Sequence, residues 1–132
     1  MRRPFHAGLL LLELLLLPLL VLLARLALKR CVVRDTSMQP ALQPGDRVLI
    51  ARWLRPRAGE LVVLRDPERQ AMLLVKRVAN LEPNGGVVLH ADNPNVSRDS
   101  RHFGAVPGRL ILGRVVFRYL PAERRGWLTS RR

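Results

Sequence analysis

The pattern of apolar and polar positions divides the chain into two unequal parts. Residues 4–24 are dominated by leucine and hold one charged side chain, Glu13. As a helix this run extends about 32 Å, enough for the hydrocarbon core of a bilayer. Pro18 would break a soluble helix but is tolerated in a spanning one, and Glu13 lies toward one end, within reach of the interface. After residue 30 the apolar residues come in short runs punctuated by Gly and Pro, the pattern of strands. The runs are 47–51, 61–64, 71–78, 87–90 and 110–119. Pro44-Gly45-Asp46 and Ala58-Gly59-Glu60 read as turns feeding the first two, and Asn84-Gly85-Gly86 as a hairpin turn between the third and fourth. Strands this closely spaced predict a mostly β domain, a small coiled or barrel-like sheet, behind one N-terminal transmembrane helix. The expected division is an anchor over 1–30, a compact domain over 31–121, and a basic tail over 122–132 that is mobile or membrane-facing.

A cleaved secretory signal is the rival reading of the apolar start. No small-x-small site follows the run; Arg25, Lys29, Arg30 and Arg34 do. The chain is therefore read as a single-pass membrane protein with a retained anchor. Arg2 and Arg3 precede the helix and four basic residues follow it, so the positive-inside rule places the domain in the cytoplasm. The formal charge of +13, from 23 Lys+Arg against 10 Asp+Glu, favours anionic surfaces such as lipid. Aromatic residues are few and no helix-turn-helix or zinc-finger spacing occurs, so no specific nucleic-acid partner is expected. Cys31 is the only cysteine, which excludes an internal disulfide. His6, His90 and His102 are scattered, so no metal site and no cofactor is expected.

Candidate chemistry lies in three segments. In the strand 71–78, Lys76 shares a face with Met72, Leu74 and Val78, while Arg77 points the other way. Apolar neighbours disfavour the charged amine. An ordinary lysine, with pKa ~10.4, is no base at neutral pH, whereas a lowered one is. On this strand alone, a lysine snorkelling from a sheet edge is the plainer reading. Ser37 lies among prolines and a Gly-Asp turn, in a segment expected to be extended. Such a segment presents a hydroxyl and a backbone N–H to a substrate carbonyl, although Ser-Met-x-Pro by itself describes any exposed loop serine. A serine hydroxyl needs a base to become a nucleophile, and a desolvated lysine can supply it. The third segment, 91–104, is polar. In it Asp99 and Arg101 are placed for a charge-assisted pair, and Ser97 to hydrogen-bond a neutral lysine. A triad of Ser100, His102 and Asp99 is conceivable, but their nearness in sequence gives no reason to expect convergence.

Together these segments resemble the type I signal peptidase family, membrane-bound serine proteases with a Ser-Lys dyad. The likeness covers residues 31–121. Ser37-Met38-Gln39-Pro40-Ala41-Leu42 with Gly45-Asp46 resembles the nucleophile box, and Gly59-Glu60-Leu61-Val62-Val63-Leu64 with Pro67 the second strand box. Val75-Lys76-Arg77-Val78 resembles the lysine box; Asp92-Asn93, then 97–107, then Gly113-Arg114 resemble the last. The resemblance implies that Ser37 is the nucleophile, Lys76 the general base and Ser97 an orienting group for the lysine. It also implies that Asp99, Ser100, Arg101, Asp92 and Asn93 support the site and that Met38 lies at the substrate. The implied activity is removal of an N-terminal leader or signal peptide from precursor proteins. The implied partners are the precursor, the lipid bilayer and a second membrane subunit.

Three departures stand out. Asp35 occupies a position near the oxyanion site where many relatives carry a hydroxyl or glycine; a carboxylate there repels a developing oxyanion and leaves more of that task to the Ser37 N–H. Ala91 replaces a glycine before Asp92. Only 15 residues lie between Lys76 and Asp92, so the insertion domain of larger members is absent. This minimal form is similar to mitochondrial-inner-membrane-type peptidases and to nickel-type superoxide dismutase maturation proteases. General signal peptidases work on the extracytoplasmic face, opposite to the face the charge argument favours. The rival from another class is a catalytically inert membrane scaffold that binds lipid or precursor through its basic surface, with Asp35 as its motive.

Overall fold

The computed structural model describes residues 5–130. Helix α1 spans Phe5–Ala27, with Pro18 inside it. Its leucines are exposed on every side, from Leu16 at 45% to Leu15 at 71%. A helix apolar all round with no protein against it is suited to lipid, and α1 is the one helix among the described residues long and apolar enough to cross a bilayer.

Eight strands follow: β1 (Leu28–Val32), β2 (Arg47–Ala51), β3 (Leu61–Arg65), β4 (Leu73–Leu81), β5 (Gly86–His90), β6 (Val106–Pro107), β7 (Ile111–Leu120) and β8 (Gly126–Trp127). A short helix, α2 (Ser100–Phe103), lies between β5 and β6. All pairings are antiparallel. The order is β1-β2-β7-β3-β4-β5-β6, with β8 beside β7, in a single sheet that curls into a half-barrel. The mostly β expectation holds.

β3 explains the core. Its run Leu61-Val62-Val63-Leu64 is buried on both faces, as an unbroken apolar run allows. Leu61 and Val63 pack with Val33, Met38, Leu42, Val48, Ile50 and Val115. Val62 and Leu64 pack with Val78, Val87, Leu89, Val106 and Leu110 on the other side.

The structure corrects the sequence reading in three places. β1 begins directly after α1, so Leu28, Lys29 and Arg30, expected in the anchor, belong to the sheet, where they pair with Ala51, Ile50 and Leu49. β4 starts at Leu73 rather than at Ala71, because a turn takes the preceding residues: Asp66 Oδ1 accepts the N–H groups of Glu68 and Arg69, and Arg69 O accepts the Met72 N–H. Met72 is exposed and lies outside the strand. The tail is not free over its first part. β8 pairs with Phe117 and Arg118, and the Leu128 N–H donates to Val116 O at 2.9 Å. Arg124 reaches the fully buried Asp46, which also accepts from the Gln43 N–H at 2.9 Å and Arg118 at 3.3 Å. A carboxylate taken out of water needs such partners.

β7 passes close to the end of β2 at Gly113. A Cβ there would stand 2.7 Å from Ala51 O and 2.9 Å from Arg52 Cα, both backbone atoms that cannot step aside cheaply. Gly113→Ala is expected to destabilise the domain by about 2 kcal/mol through this overlap, read as a fall in the thermal midpoint of the full chain in detergent micelles.

Candidate active site

The loop from β1 to β2 carries Ser37. It is closed at its base by Val33, whose N–H donates to Asp46 O at 2.9 Å and whose carbonyl accepts the Gly45 N–H at 2.8 Å. Ser37 is buried, 4% exposed. Its backbone is not extended, as expected, but opens a series of turns in which Thr36 O accepts the Gln39 N–H and Met38 O the Leu42 N–H. Asp35 drives this geometry: its Oδ1 accepts both the Ser37 N–H at 3.0 Å and the Ser37 hydroxyl at 2.6 Å. The first contact is an Asx turn, a side chain standing in for a backbone acceptor.

Lys76 lies in the middle of β4, opposite Val62. It is only 1% exposed, so the snorkelling alternative does not apply. Leu74 and Val78 flank it on the same face, as expected, and belong to the second core. Its Nζ donates to Ser97 Oγ. Burial pushes the amine below the ordinary lysine range, and the charges of Asp35, Asp99 and Asp66 offset part of that shift. None of the three carboxylates pairs with Lys76 directly. Among the described residues, no hydrogen bond joins Lys76 Nζ to Ser37 Oγ either; the serine hydroxyl is turned to Asp35.

The segment 91–104 joins the two. The Asn93 N–H donates to Ser37 O at 2.8 Å, and its side-chain amide to Thr36 O at 3.2 Å. Asp92 takes a two-pronged bond from Arg77, at 2.7 and 2.6 Å, and Arg77 also reaches Gly59 O. Alternation along β4 therefore sends Lys76 to Ser97 and Arg77 to Asp92, both in the same loop. Asp99 is fully buried. Burial alone would raise its pKa, but bonds from Arg101 and from the backbone N–H groups of Ala91 and Arg101 hold the carboxyl well below the usual range. The Ala91 bond is 2.8 Å, and the Arg101 side chain reaches Asp99 at 2.9 and 2.6 Å. Asp99 also caps α2, with His102 Nδ1 accepting the Asp99 N–H in return. Ser100 Oγ accepts the Leu89 N–H at 2.8 Å. Ser100 and His102 are thus engaged in capping and strand contacts, and the triad with Asp99 does not assemble.

Met38, expected at the substrate, is fully buried in the first core and offers no surface there. A groove of about 520 Å³ lies instead beside Asp35, bordered also by Cys31, Val33, Arg34, Leu73 and Val75, and reaches Ser37 only through the Asp35 side chain. Two features escaped the sequence reading: the grip of Asp35 on Ser37, and the stitching of Asn93 to the serine loop. The first has a local signal, an aspartate two residues before a loop serine, which is the spacing of an Asx turn. The second joins residues 56 positions apart, and only the folded chain shows it.

A mostly β half-barrel behind a single apolar helix, with a buried lysine bonded to a loop serine and a Ser-Met serine in the β1–β2 loop, defines a class. A family model described as signal peptidase, peptidase S26, matches residues 7–85 and 79–120. The chain belongs to this family. Among its relatives is the mitochondrial ATP-independent inner membrane protease subunit 1b of Arabidopsis thaliana, 34% identical over 66% of this chain and 67% of the relative. Mitochondrial inner membrane protease subunit 1 of Homo sapiens is 30% identical over 71% of this chain and 70% of its own length. The probable signal peptidase I-1 of Synechocystis is 27% identical over 74% of each chain. Kinship with inner membrane proteases, together with α1, supports single-pass attachment to a membrane.

The Asp99 cap carries a pH signature. Its folded-state pKa is depressed, so its stabilisation is complete above the ordinary carboxylate range and is lost as the pH falls through and below it. Asp99→Asn is expected to lose about 2 kcal/mol at neutral pH. Its stability should then fall less steeply than that of the parent chain on acidification, checked by thermal melts across the acid range.

Proposed function

We propose that the protein is a membrane-anchored serine endopeptidase that removes an N-terminal leader or signal peptide from precursor proteins, with Ser37 as nucleophile and Lys76 as general base. The observation that carries this reading is the Lys76 amine: fully buried, without a carboxylate partner, bonded to Ser97 Oγ, and on a strand whose loop contacts grip the serine segment. Such an amine loses its proton more readily than a solvated one. Ser97 fixes its orientation; Asp99, Ser100, Arg101, Asp92 and Asn93 hold the loop that carries Ser97. In acylation the Ser37 oxygen bonds to the scissile carbonyl carbon, its proton passes to Lys76, and Lys76 returns a proton to the leaving amine. Water then releases the acyl group from Ser37.

A precursor fits this site as an added strand. Residues 73–76 of β4 pair with β3 on one side only, since the register with β5 begins at Arg77. Leu73 and Val75 of this stretch line the groove that Asp35 also borders, where an extended peptide would hydrogen-bond to the backbone and seat small side chains. The short leader of a nickel-type superoxide dismutase is one substrate of the right form. Cleavage of that precursor by the purified chain would support the narrower role, and processing only of other precursors would remove it.

Ser37→Ala and Lys76→Ala are each expected to abolish precursor processing in membranes. Full processing by either variant would rule out the dyad. Acylation of Ser37 by a serine-directed reagent, lost on substitution, separates the enzyme from an inert scaffold. With increasing pH, activity should rise as the Lys76 proton leaves, with an apparent pKa below the ordinary ~10.4 of lysine.

A further inference from the structure

We propose that Asp35 is a positioning residue that holds the resting serine unreactive, and that a scissile carbonyl must displace it from the Ser37 N–H before acylation begins. The inference rests on the Ser37–Lys76 reading above and adds a residue and a step to it.

Three effects of the Asp35 carboxylate act in the same direction. Its Oδ1 occupies the Ser37 N–H at 3.0 Å, the donor placed to stabilise an oxyanion formed on a carbonyl attacked by Ser37. The same atom accepts the hydrogen bond of the Ser37 hydroxyl at 2.6 Å, so the hydroxyl hydrogen is directed to Asp35 and not to Lys76. Its charge also favours the protonated form of Lys76, in company with Asp99 and Asp66. Asp99 is already bonded to Arg101 and Asp66 to backbone N–H groups, which leaves Asp35 as the carboxylate of the three that touches the serine.

Mobility is divided in the same sense. Ser37 is buried and its carbonyl is held by Asn93, whereas Asp35 is exposed and borders the groove. The carboxylate can therefore turn into solvent while the serine stays in place. Once it has turned, the Ser37 N–H is free for the carbonyl oxygen and the hydroxyl can turn to Lys76. The Ser37 oxygen then bonds to the carbonyl carbon, the carbonyl electron pair moves to its oxygen, and the hydroxyl proton ends on Lys76 Nζ. Collapse breaks the bond to the leaving group, which takes that proton. An Asx turn that merely shapes the loop would instead affect folding and leave reactivity alone.

The test uses the full chain in detergent micelles and a biotin-tagged acylating ester, with the adduct located by mass spectrometry. Asp35→Ser and Asp35→Asn are compared with the parent chain and with Ser37→Ala. Both Asp35 variants should acylate Ser37 about tenfold faster, the scale of losing one charge-assisted hydrogen bond from the resting state. Their acylation–pH profiles should also shift to lower pH, because Lys76 loses a neighbouring negative charge. Ser37-dependent labelling that is unchanged or slower in both variants, or an unmoved pH profile, overturns this proposal and leaves the dyad standing. Labelling that survives Ser37→Ala removes the dyad and this proposal together.

Discussion

An amine taken out of water, with one hydroxyl as its only direct partner among the described residues, is the constraint around which the site is arranged. Burying Lys76 costs several kcal/mol in any state that keeps the proton. A direct carboxylate partner would remove most of that cost and restore an ordinary lysine. The structure supplies none: three aspartates act on Lys76 through space and each is committed elsewhere. Burial without a direct carboxylate partner thereby pushes the amine below the ordinary lysine range. That condition is useful to a base and poor for stability, so the strands around it must hold it there. β3 does so from below, buried on both faces, and the 91–104 loop does so from above.

Aspartates and arginines build that loop and its surroundings. Asp46, Asp99 and Asp92 are each fastened by arginine, through Arg118 and Arg124, Arg101, and Arg77 respectively. Glu60 is held by Arg114 at 2.9 Å in the same way. Five of the 23 basic residues, Arg77, Arg101, Arg114, Arg118 and Arg124, are therefore engaged in fixing acidic side chains of the domain. The residual positive charge is what the +13 reports, and Arg30 and Arg34 carry part of it to the rim of the groove.

Strand positions were legible because punctuation by Gly and Pro and runs such as Leu61–Leu64 depend on near neighbours alone. The start of β4 was missed by two residues because Asp66 caps a turn, a contact that reads like any loop aspartate. β1 was missed because Leu28-Lys29-Arg30 continues an apolar helix into a basic flank, and only pairing with β2 reveals a strand. β8 was missed because a two-residue strand has no periodicity. At the site, the strand alone favoured a lysine snorkelling from the sheet edge, and only the fold shows Lys76 buried and bonded to Ser97. The backbone of Ser37 also departed from expectation: prolines argued for an extended segment, and the Asp35 side chain turned it.

The course of the chain also ties the site to the membrane. α1 ends at Ala27 and β1 starts at the next residue, with the Arg52 N–H bonded to Ala27 O at 3.3 Å. From Ala27 to Ser37 the backbone can reach at most about 36 Å even if fully extended, and less once β1 is pleated and the serine loop turns. Beside the helix end, Leu28, Leu49, Trp53, Phe117 and Trp127 line an apolar cavity of about 350 Å³, with Trp53 and Trp127 largely exposed. Aromatic rings with one face apolar and an edge in water favour the depth of lipid headgroups. Helix end and aromatic edge thus lie side by side, with the serine one short strand and a turn along the chain from the helix end. On the proposed reading, a precursor anchored in the same membrane would meet the groove at the effective concentration set by its own tether, so that shallow contacts along a strand edge would suffice where a freely diffusing peptide would need deeper pockets.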